Sequence, residues 1–342
     1  MNVLMTGAGA PGGPGIIKCL KKNKNVNLLV ADIDIQASGR FLNSKFIQIP
    51  KPSEISFIQT LLEICEKNSI DIIFPLVTKE LEVLSYNKEK FEKRNIKLIV
   101  SEYESLKISN NKSALYNHLS KNGILTPSYK IINNYSEFIK TSSHFLNNYD
   151  GYCIKPSISN GSRGVRIINN SVDKHDLLFN HKPNSLYTSQ KDLEEVLRTK
   201  EFPELLISEI LPGDEYTIDS IIDNQGNPIL IVPRIRTRIR EGISLSGKFI
   251  KNDDIINYSK SILDTLKLLG PIGIQIKKDI NGDFKVLEIN PRIQGTSVAA
   301  LGAGVNLPMV AVNSILGRPT GNLNINWGIE FSRYYDEVFF KL

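Results

Sequence analysis

Val286-Leu287-Glu288-Ile289-Asn290-Pro291-Arg292 is an apolar strand that ends in a carboxylate, an amide and a guanidinium. Side chains alternate across a strand, so Glu288 and Asn290 share one face while Leu287 and Ile289 are expected toward the core. A carboxylate and a carbonyl oxygen one residue apart suit Mg²⁺, a hard ion that takes oxygen ligands. The turn Asn281-Gly282 makes this strand the second half of a hairpin. On the first half, residues 273–277, Gln275 alternates with Ile274 and Ile276 and can face the same way. Arg292 follows, where a guanidinium can neutralise a phosphoryl group in transfer. The bland alternative is an exposed polar face on a half-buried strand, but Glu-x-Asn-Pro-Arg directly after an apolar run is more specific than that.

Working upstream, residues 233–242 read Pro-Arg-Ile-Arg-Thr-Arg-Ile-Arg-Glu-Gly, arginine alternating with smaller or apolar residues. On a strand this puts Arg234, Arg236, Arg238 and Arg240 on one face. Either they pair with surface Asp and Glu, or Arg238 and Arg240 recognise a substrate carboxylate or phosphate. Residues 295–298, Gly-Thr-Ser-Val, can begin a helix whose first N–H groups meet an anion. Further up, Lys155 ends an apolar strand and the small residues of 156–164 lead straight into the next strand. No helix follows and the lysine precedes the glycines, so this is not a Walker A loop. It is either a hairpin flap closing over phosphates through backbone N–H groups, Ser162 and Arg163, or an ordinary Gly-Ser hairpin.

The first hundred residues alternate apolar strands (3–6, 28–31, 72–76, 97–100) with helical stretches (15–23, 54–68, 79–94). Ile55, Ile58, Leu61, Leu62 and Cys65 recur at helical spacing in the second of these. The alternation predicts a parallel sheet covered on both faces. Gly7, Gly9 and Gly12 match G-x-G-x-x-G, with Asp32 at the end of the second strand, a dinucleotide pattern that Pro11 and Pro14 weaken by removing N–H donors. Beyond residue 109 the expected elements are helices at 111–122, 192–200 and 253–269 and strands at 129–132, 152–155, 165–168, 205–208, 216–222 and 229–233. Asp253 is expected as the N-cap of the 253–269 helix and Gly270-Pro271 as its stop. The aromatic run 331–340 reads as a packed terminal strand.

Composition narrows the class. The 342 residues are 41% hydrophobic and 23% charged with net charge +6, and the lysines are scattered, which argues against a nucleic-acid binder. No apolar run approaches the roughly 18 residues that span a bilayer, and the amino end lacks a signal peptide's regions. Cys19, Cys65 and Cys153 lie far apart and read as reduced thiols of a cytoplasmic protein. His118 follows helical spacing, and His144, His175 and His181 lie in polar surroundings; each reads as surface or core.

Taken together, these segments resemble the ATP-grasp superfamily, and residues 1–317 are similar to stand-alone proteins of the carbamoyl-phosphate synthase large-subunit type. The resemblance implies an α/β protein: a Rossmann-like pre-ATP-grasp domain over 1–108, which in this family usually binds no dinucleotide, then a two-lobed ATP-grasp domain over 109–317. A lid subdomain would cover about 125–200 and a C-terminal strand segment 318–342. Lys112 and Lys155 match the basic residues on the ATP phosphates, and 159–164, with Ser162 and Gly164, the glycine-rich flap. Glu209 and the Ile210–Leu211 backbone would meet adenine and Glu215 the ribose. Gln275, Glu288 and Asn290 match the Mg²⁺ ligands, with Mn²⁺ as an option, and Arg292 the catalytic guanidinium; Arg238 and Arg240 on the acceptor come from the arginine run alone. Asn111 departs from the commoner Asp before Lys112, and 342 residues cannot hold the two tandem halves of a carbamoyl-phosphate synthase. The implied chemistry is ADP-forming ligation of a carboxylate to an amine through an acyl phosphate, with small-molecule partners and a homodimer as an option. The alternatives are a small-molecule kinase on the same fold, a non-catalytic nucleotide-binding regulator and, least favoured, an NAD-dependent oxidoreductase.

Overall fold

The structure, a computed structural model, describes residues 1–159, 161–180, 186–240 and 242–339; Asn160 of the glycine-rich loop, His181, Glu241 and Phe340 lie outside the described residues. The amino-terminal apolar runs become β1 (Asn2–Thr6), β2 (Asn27–Asp32), β3 (Phe46–Gln48), β4 (Ile72–Pro75) and β5 (Lys97–Leu98). They form one sheet in the order β3-β2-β1-β4-β5, and every pairing is parallel. Val3, Met5 and Val30 join one apolar cluster while Leu4, Leu29 and Ile73 join another, as alternation on a sheet covered on both faces requires.

Two helices differ from expectation. The 54–68 stretch forms a helix only over Phe57–Lys67, and Ile55 stands fully exposed in the turn before it. In place of one helix over 79–94 there are two, Thr78–Tyr86 and Lys88–Glu92. Asn87 ends the first by donating its amide to the Val83 carbonyl at 2.9 Å, a local bond that competes with helix continuation.

The chain divides into two compact units: residues 1–110, 215–275 and 288–342 in one, 111–214 and 276–287 in the other. The second holds an antiparallel sheet in the order β6-β9-β7-β8, built from β6 (Tyr129–Ile132), β7 (Gly151–Pro156), β8 (Arg166–Asn169) and β9 (Leu205–Ser208). The helix Tyr135–Asn148, not expected above, covers this sheet with Phe138 and Phe145. Its start was signalled by Asn134 and Glu137: the Asn134 side-chain Oδ1 accepts the Glu137 N–H at 3.0 Å.

A second sheet in the first unit runs β14-β13-β10-β11-β12-β15, with β10 (Glu215–Ile222), β11 (Pro228–Arg240), β12 (Ile243–Phe249), β13 (Gly270–Lys278), β14 (Phe284–Asn290) and β15 (Glu330–Ser332). Residues 276–287, the turn end of the β13–β14 hairpin, belong to the second unit. The helix Asp253–Leu266 is capped by Asn252, one residue earlier than expected, and ends in the left-handed Lys267; Gly270 and Pro271 open β13 instead of stopping the helix. Among the described residues the aromatic tail is packed only at its start. Phe331 lies against Phe249, whereas Tyr334, Tyr335 and Phe339 are exposed.

Candidate active site

In the first unit the end of β14 sets three functional groups in series. Asn290 donates its amide N–H to Glu288 Oε1 at 3.1 Å, and Arg292 Nη2 lies 3.4 Å from Asn290 Oδ1. Arg292 is braced from two more sides, by Thr78 Oγ1 at 3.2 Å and the Ile293 carbonyl at 2.9 Å. Burial pulls its guanidinium below the ordinary range and Glu288 opposes the shift, yet an arginine stays charged. Ile289 is buried as expected, but Leu287 is only half-buried.

Gln275 sits between two buried isoleucines, Ile274 and Ile276, as the alternation predicts. Its amide oxygen lies 3.5 Å from Arg236 Nη1, the same atom that pairs with Glu215. The candidate metal ligands Gln275, Glu288 and Asn290 thus offer only oxygens, and the two amide carbonyls are engaged only at long range by guanidinium groups. That donor set fits Mg²⁺, which keeps water and phosphate oxygens beside one or two carboxylates.

β11 divides its four arginines. Arg234, with no exposed surface, donates Nε to Asp219 at 2.7 Å and Nη2 to Thr296 at 2.9 Å, and Ser297 donates to the other Asp219 oxygen at 2.6 Å. Its guanidinium also lies over the Phe249 and Phe331 rings. Arg236 holds Glu215, Ser244 Oγ at 2.8 Å and the Gly242 carbonyl at 2.6 Å. The ladder is then irregular around Thr237, and Arg238 and Arg240 beyond it are exposed. The surface-pairing alternative therefore meets a different outcome at Arg234 and Arg236, which pair with carboxylates inside the fold.

The Gly7–Gly12 turn is filled by the chain itself. Gly9 N–H donates to Asp32 Oδ2 at 2.7 Å, and a Cβ on Gly12 would lie 2.2 Å from the Gly295 Cα. The residues of the dinucleotide pattern are thereby occupied with packing the amino-terminal loop against the segment after Arg292.

The second unit holds the lysines. Lys112 opens the helix Lys112–Lys121; its Nζ donates to the Ser159 carbonyl at 3.2 Å, and its main-chain N–H to the Ser157 carbonyl at 2.8 Å. Lys155, near the end of β7, donates to Tyr116 Oη at 3.0 Å and lies 3.3 Å from the Leu287 carbonyl. Both lysines are buried. In the loop that follows Lys155, Gly161, Ser162 and Gly164 all take positive φ, so Ser162 adopts a backbone conformation L-residues seldom hold. At the end of β9, Glu209 accepts the Ser128 N–H at 2.7 Å; Leu211 is buried and Ile210 half-exposed. One oxygen of Glu209 is therefore already committed to the 126–128 loop. That loop, with Tyr129, His144 and Tyr149, also lines a cavity of about 430 Å³ that contains none of the predicted site residues.

The cysteines are poor nucleophiles, since burial pushes Cys19 and Cys65 up to about 12 and raises Cys153 as well. No helix among the described residues is long and apolar enough to cross a membrane. Three side chains that contact the candidate site residues escaped the sequence reading: Thr78 behind Arg292, Arg236 between Glu215 and Gln275, and Tyr116 beside Lys155. Only Arg236 left a trace, as one member of the alternating run.

The parallel five-stranded sheet followed by a four-stranded and a six-stranded sheet is the ATP-grasp architecture, and solved structures of that fold superpose on nearly the whole chain. PurK, N5-carboxyaminoimidazole ribonucleotide synthetase in its ADP complex, aligns over 95% of this chain and 79% of its own with a TM-score of 0.72 at 15% identity. Biotin carboxylase from Campylobacter jejuni covers 96% of this chain and 74% of its own (TM-score 0.71, 16% identity). An L-amino acid ligase from Bacillus licheniformis covers 95% and 77% (TM-score 0.67, 14% identity). At such identities the likeness is one of fold. Residues 201–332 match the family described as ATP-grasp in the biosynthetic pathway with Ter operon, and residues 3–99 match the PylC-like N-terminal domain. The chain therefore carries a PylC-like N-terminal domain and an ATP-grasp domain. No curated protein matches it by sequence.

Proposed function

We propose that the protein is an ADP-forming ligase that activates a carboxylate with ATP and joins it to an amine. The observation that carries this reading is the hydrogen-bonded series Glu288, Asn290, Arg292, whose guanidinium is braced by Thr78. A half-buried arginine fixed from three sides can stabilise charge on a transferring phosphoryl group without reorganising. PurK and the L-amino acid ligase, both similar in fold, are a synthetase and a ligase by name, and an amino acid is the preferred substrate class.

Lys112 and Lys155 take the phosphates, the 159–164 loop with Ser162 and Gly164 covers them, and Glu209, Ile210 and Leu211 hold adenine. Glu215 holds the ribose. Gln275, Glu288 and Asn290 would hold Mg²⁺, which when bound neutralises phosphate oxygens. A substrate carboxylate oxygen attacks the γ-phosphorus in line, the bond to the bridging oxygen breaks, and ADP leaves. The acyl phosphate is kept from water by the loop until the amine attacks its carbonyl carbon and phosphate departs. Arg238 and Arg240 are assigned to an anionic acceptor. In this reading residues 1–108 form the pre-ATP-grasp domain and 109–317 the ATP-grasp domain with its lid at about 125–200. The strand segment 318–342 follows, and the enzyme works in the cytoplasm as a monomer or homodimer.

A screen of amino acids and other small carboxylates, paired with amines, tests the proposal. Phosphate and ADP should appear only with Mg²⁺ and both acceptors present. Formation of AMP and pyrophosphate would overturn it, and a phosphorylated product would identify a kinase instead.

A further inference from the structure

We propose that Tyr116 is a positioning residue for Lys155, so that one helix both carries the first phosphate lysine and aims the second. This rests on the ligase reading, in which Lys155 contacts ATP. Tyr116 is fully buried and stands four residues after Lys112 on the helix Lys112–Lys121, hence on the same face.

Its hydroxyl has two directed partners. The phenolic oxygen accepts a hydrogen bond from Lys155 Nζ at 3.0 Å and donates its own proton to the Leu287 carbonyl at 3.1 Å. Because the proton is drawn to a fixed backbone oxygen, a lone pair is presented to the ammonium. Lys155 Nζ also lies 3.3 Å from the same carbonyl and 5.0 Å from the centre of the Tyr116 ring. The ammonium is a tripod of donors on a stem with four rotatable bonds. Two anchors on that tripod restrict its rotation, which a single contact would permit.

The anchor itself is held. Tyr129 packs edge-on against the Tyr116 ring with centroids 5.3 Å apart, and the Tyr129 hydroxyl donates to Asn117 Oδ1 at 2.7 Å, on the same helix. The helix start is tied to the base of the glycine-rich loop by the Lys112 main-chain bond to Ser157 and by the 2.5 Å contact of the Ser113 and Ser157 hydroxyls. Nothing in the local sequence announces this arrangement, because Tyr116 and Lys155 are 39 residues apart. The phenol thus works through Lys155.

The experiment is a double-mutant cycle on ATP–Mg²⁺ affinity, measured by calorimetry on the full chain. Tyr116→Phe keeps the ring and removes only the oxygen. It should weaken ATP binding about tenfold, equivalent to 1.4 kcal/mol, the scale of one charge-assisted hydrogen bond. In a Lys155→Ala background the same change should have no further effect, since the group it positions is gone. Tyr129→Phe, which removes a hydroxyl that meets no lysine, should stay within about twofold of wild type.

Wild-type affinity in Tyr116→Phe overturns the proposal, as does an equal loss with and without Lys155. A loss in Tyr129→Phe as large as in Tyr116→Phe overturns it too, by assigning the effect to the loss of any hydroxyl bond on this helix and not to the Lys155 contact. If Lys155→Ala binds ATP as wild type does, the lysine assignment falls and the positioning role with it, while the ligase reading still answers to the phosphate-release screen. A wild-type chain that binds no ATP removes both.

Discussion

The inner and outer ends of β11 carry the same residue at the same spacing and meet opposite environments. Arg234 is enclosed by Asp219, Thr296 and two phenylalanine rings, and Arg236 is matched to Glu215, whereas Arg238 and Arg240 reach solvent. Alternation decides which way a side chain points. What it meets there depends on the partner strands, here Asp219 on β10 and Phe249 opposite Arg234 on β12. A run of arginines is therefore two features, a buried electrostatic tie and an exposed pair of cations.

The sharpest way to break that contrast is Arg234→Ala. It leaves Asp219 buried without its guanidinium, and removing one partner of a buried pair costs about 3–5 kcal/mol. Urea unfolding should show a loss of that size, and a loss below about 1 kcal/mol would make the inner end no different from a surface pair.

Glu80 supplies the reverse case, a buried carboxyl whose hydrogen bond comes from the Thr6 hydroxyl. Burial raises it from its ordinary 4.5 to about 7, with Asp32 adding to the rise and the Thr6 bond opposing it. The folded chain then holds this proton more tightly than the unfolded chain does. The contribution of Glu80 to stability is greatest below about pH 4.5, falls as pH climbs to about 7, and is flat above. Between pH 5 and 8 wild type should lose about 2–3 kcal/mol that Glu80→Gln does not. Parallel profiles for the two proteins would show that the carboxyl is not held neutral by the fold.

The outer end should scarcely register in stability. Arg238→Ala and Arg240→Ala are expected to shift unfolding by no more than about 0.5 kcal/mol. Once the acceptor is identified, each should lower its kcat/KM at least about tenfold with ATP affinity nearly intact. Full activity in both variants would make the outer end scaffold.

Much of the fold was legible because burial on both faces leaves a direct mark: the strands around Leu4, Leu29 and Ile73 have no polar face to confuse the reading. Ile55 misled because apolar spacing alone does not locate a helix start. Lys112, Lys155, Glu288, Asn290 and Arg292 could be picked out since each sits at the edge of an element, in a short polar interruption of an apolar pattern. Their supports could not. The Asp219–Arg234 tie joins neighbouring strands, and its one advance signal was an acid in the middle of the strand Glu215–Ile222. Thr78 supports Arg292 from 214 residues away, a separation no local pattern spans.

The unit that begins at Met1 closes only with residues past 288, and its central apolar cluster joins Val3 and Met5 to Ile293, Val305 and Val312. On the ribosome this unit must therefore wait. Its first strands emerge early and can pair locally, but half of the surface that buries them has not yet been made. Contacts of such long sequence separation fold slowly, and the exposed intermediate is the state most open to proteolysis and aggregation. Pulse proteolysis of stalled nascent chains should find residues 1–110 cleavable until the segment through Val312 has left the exit tunnel, and protected soon after.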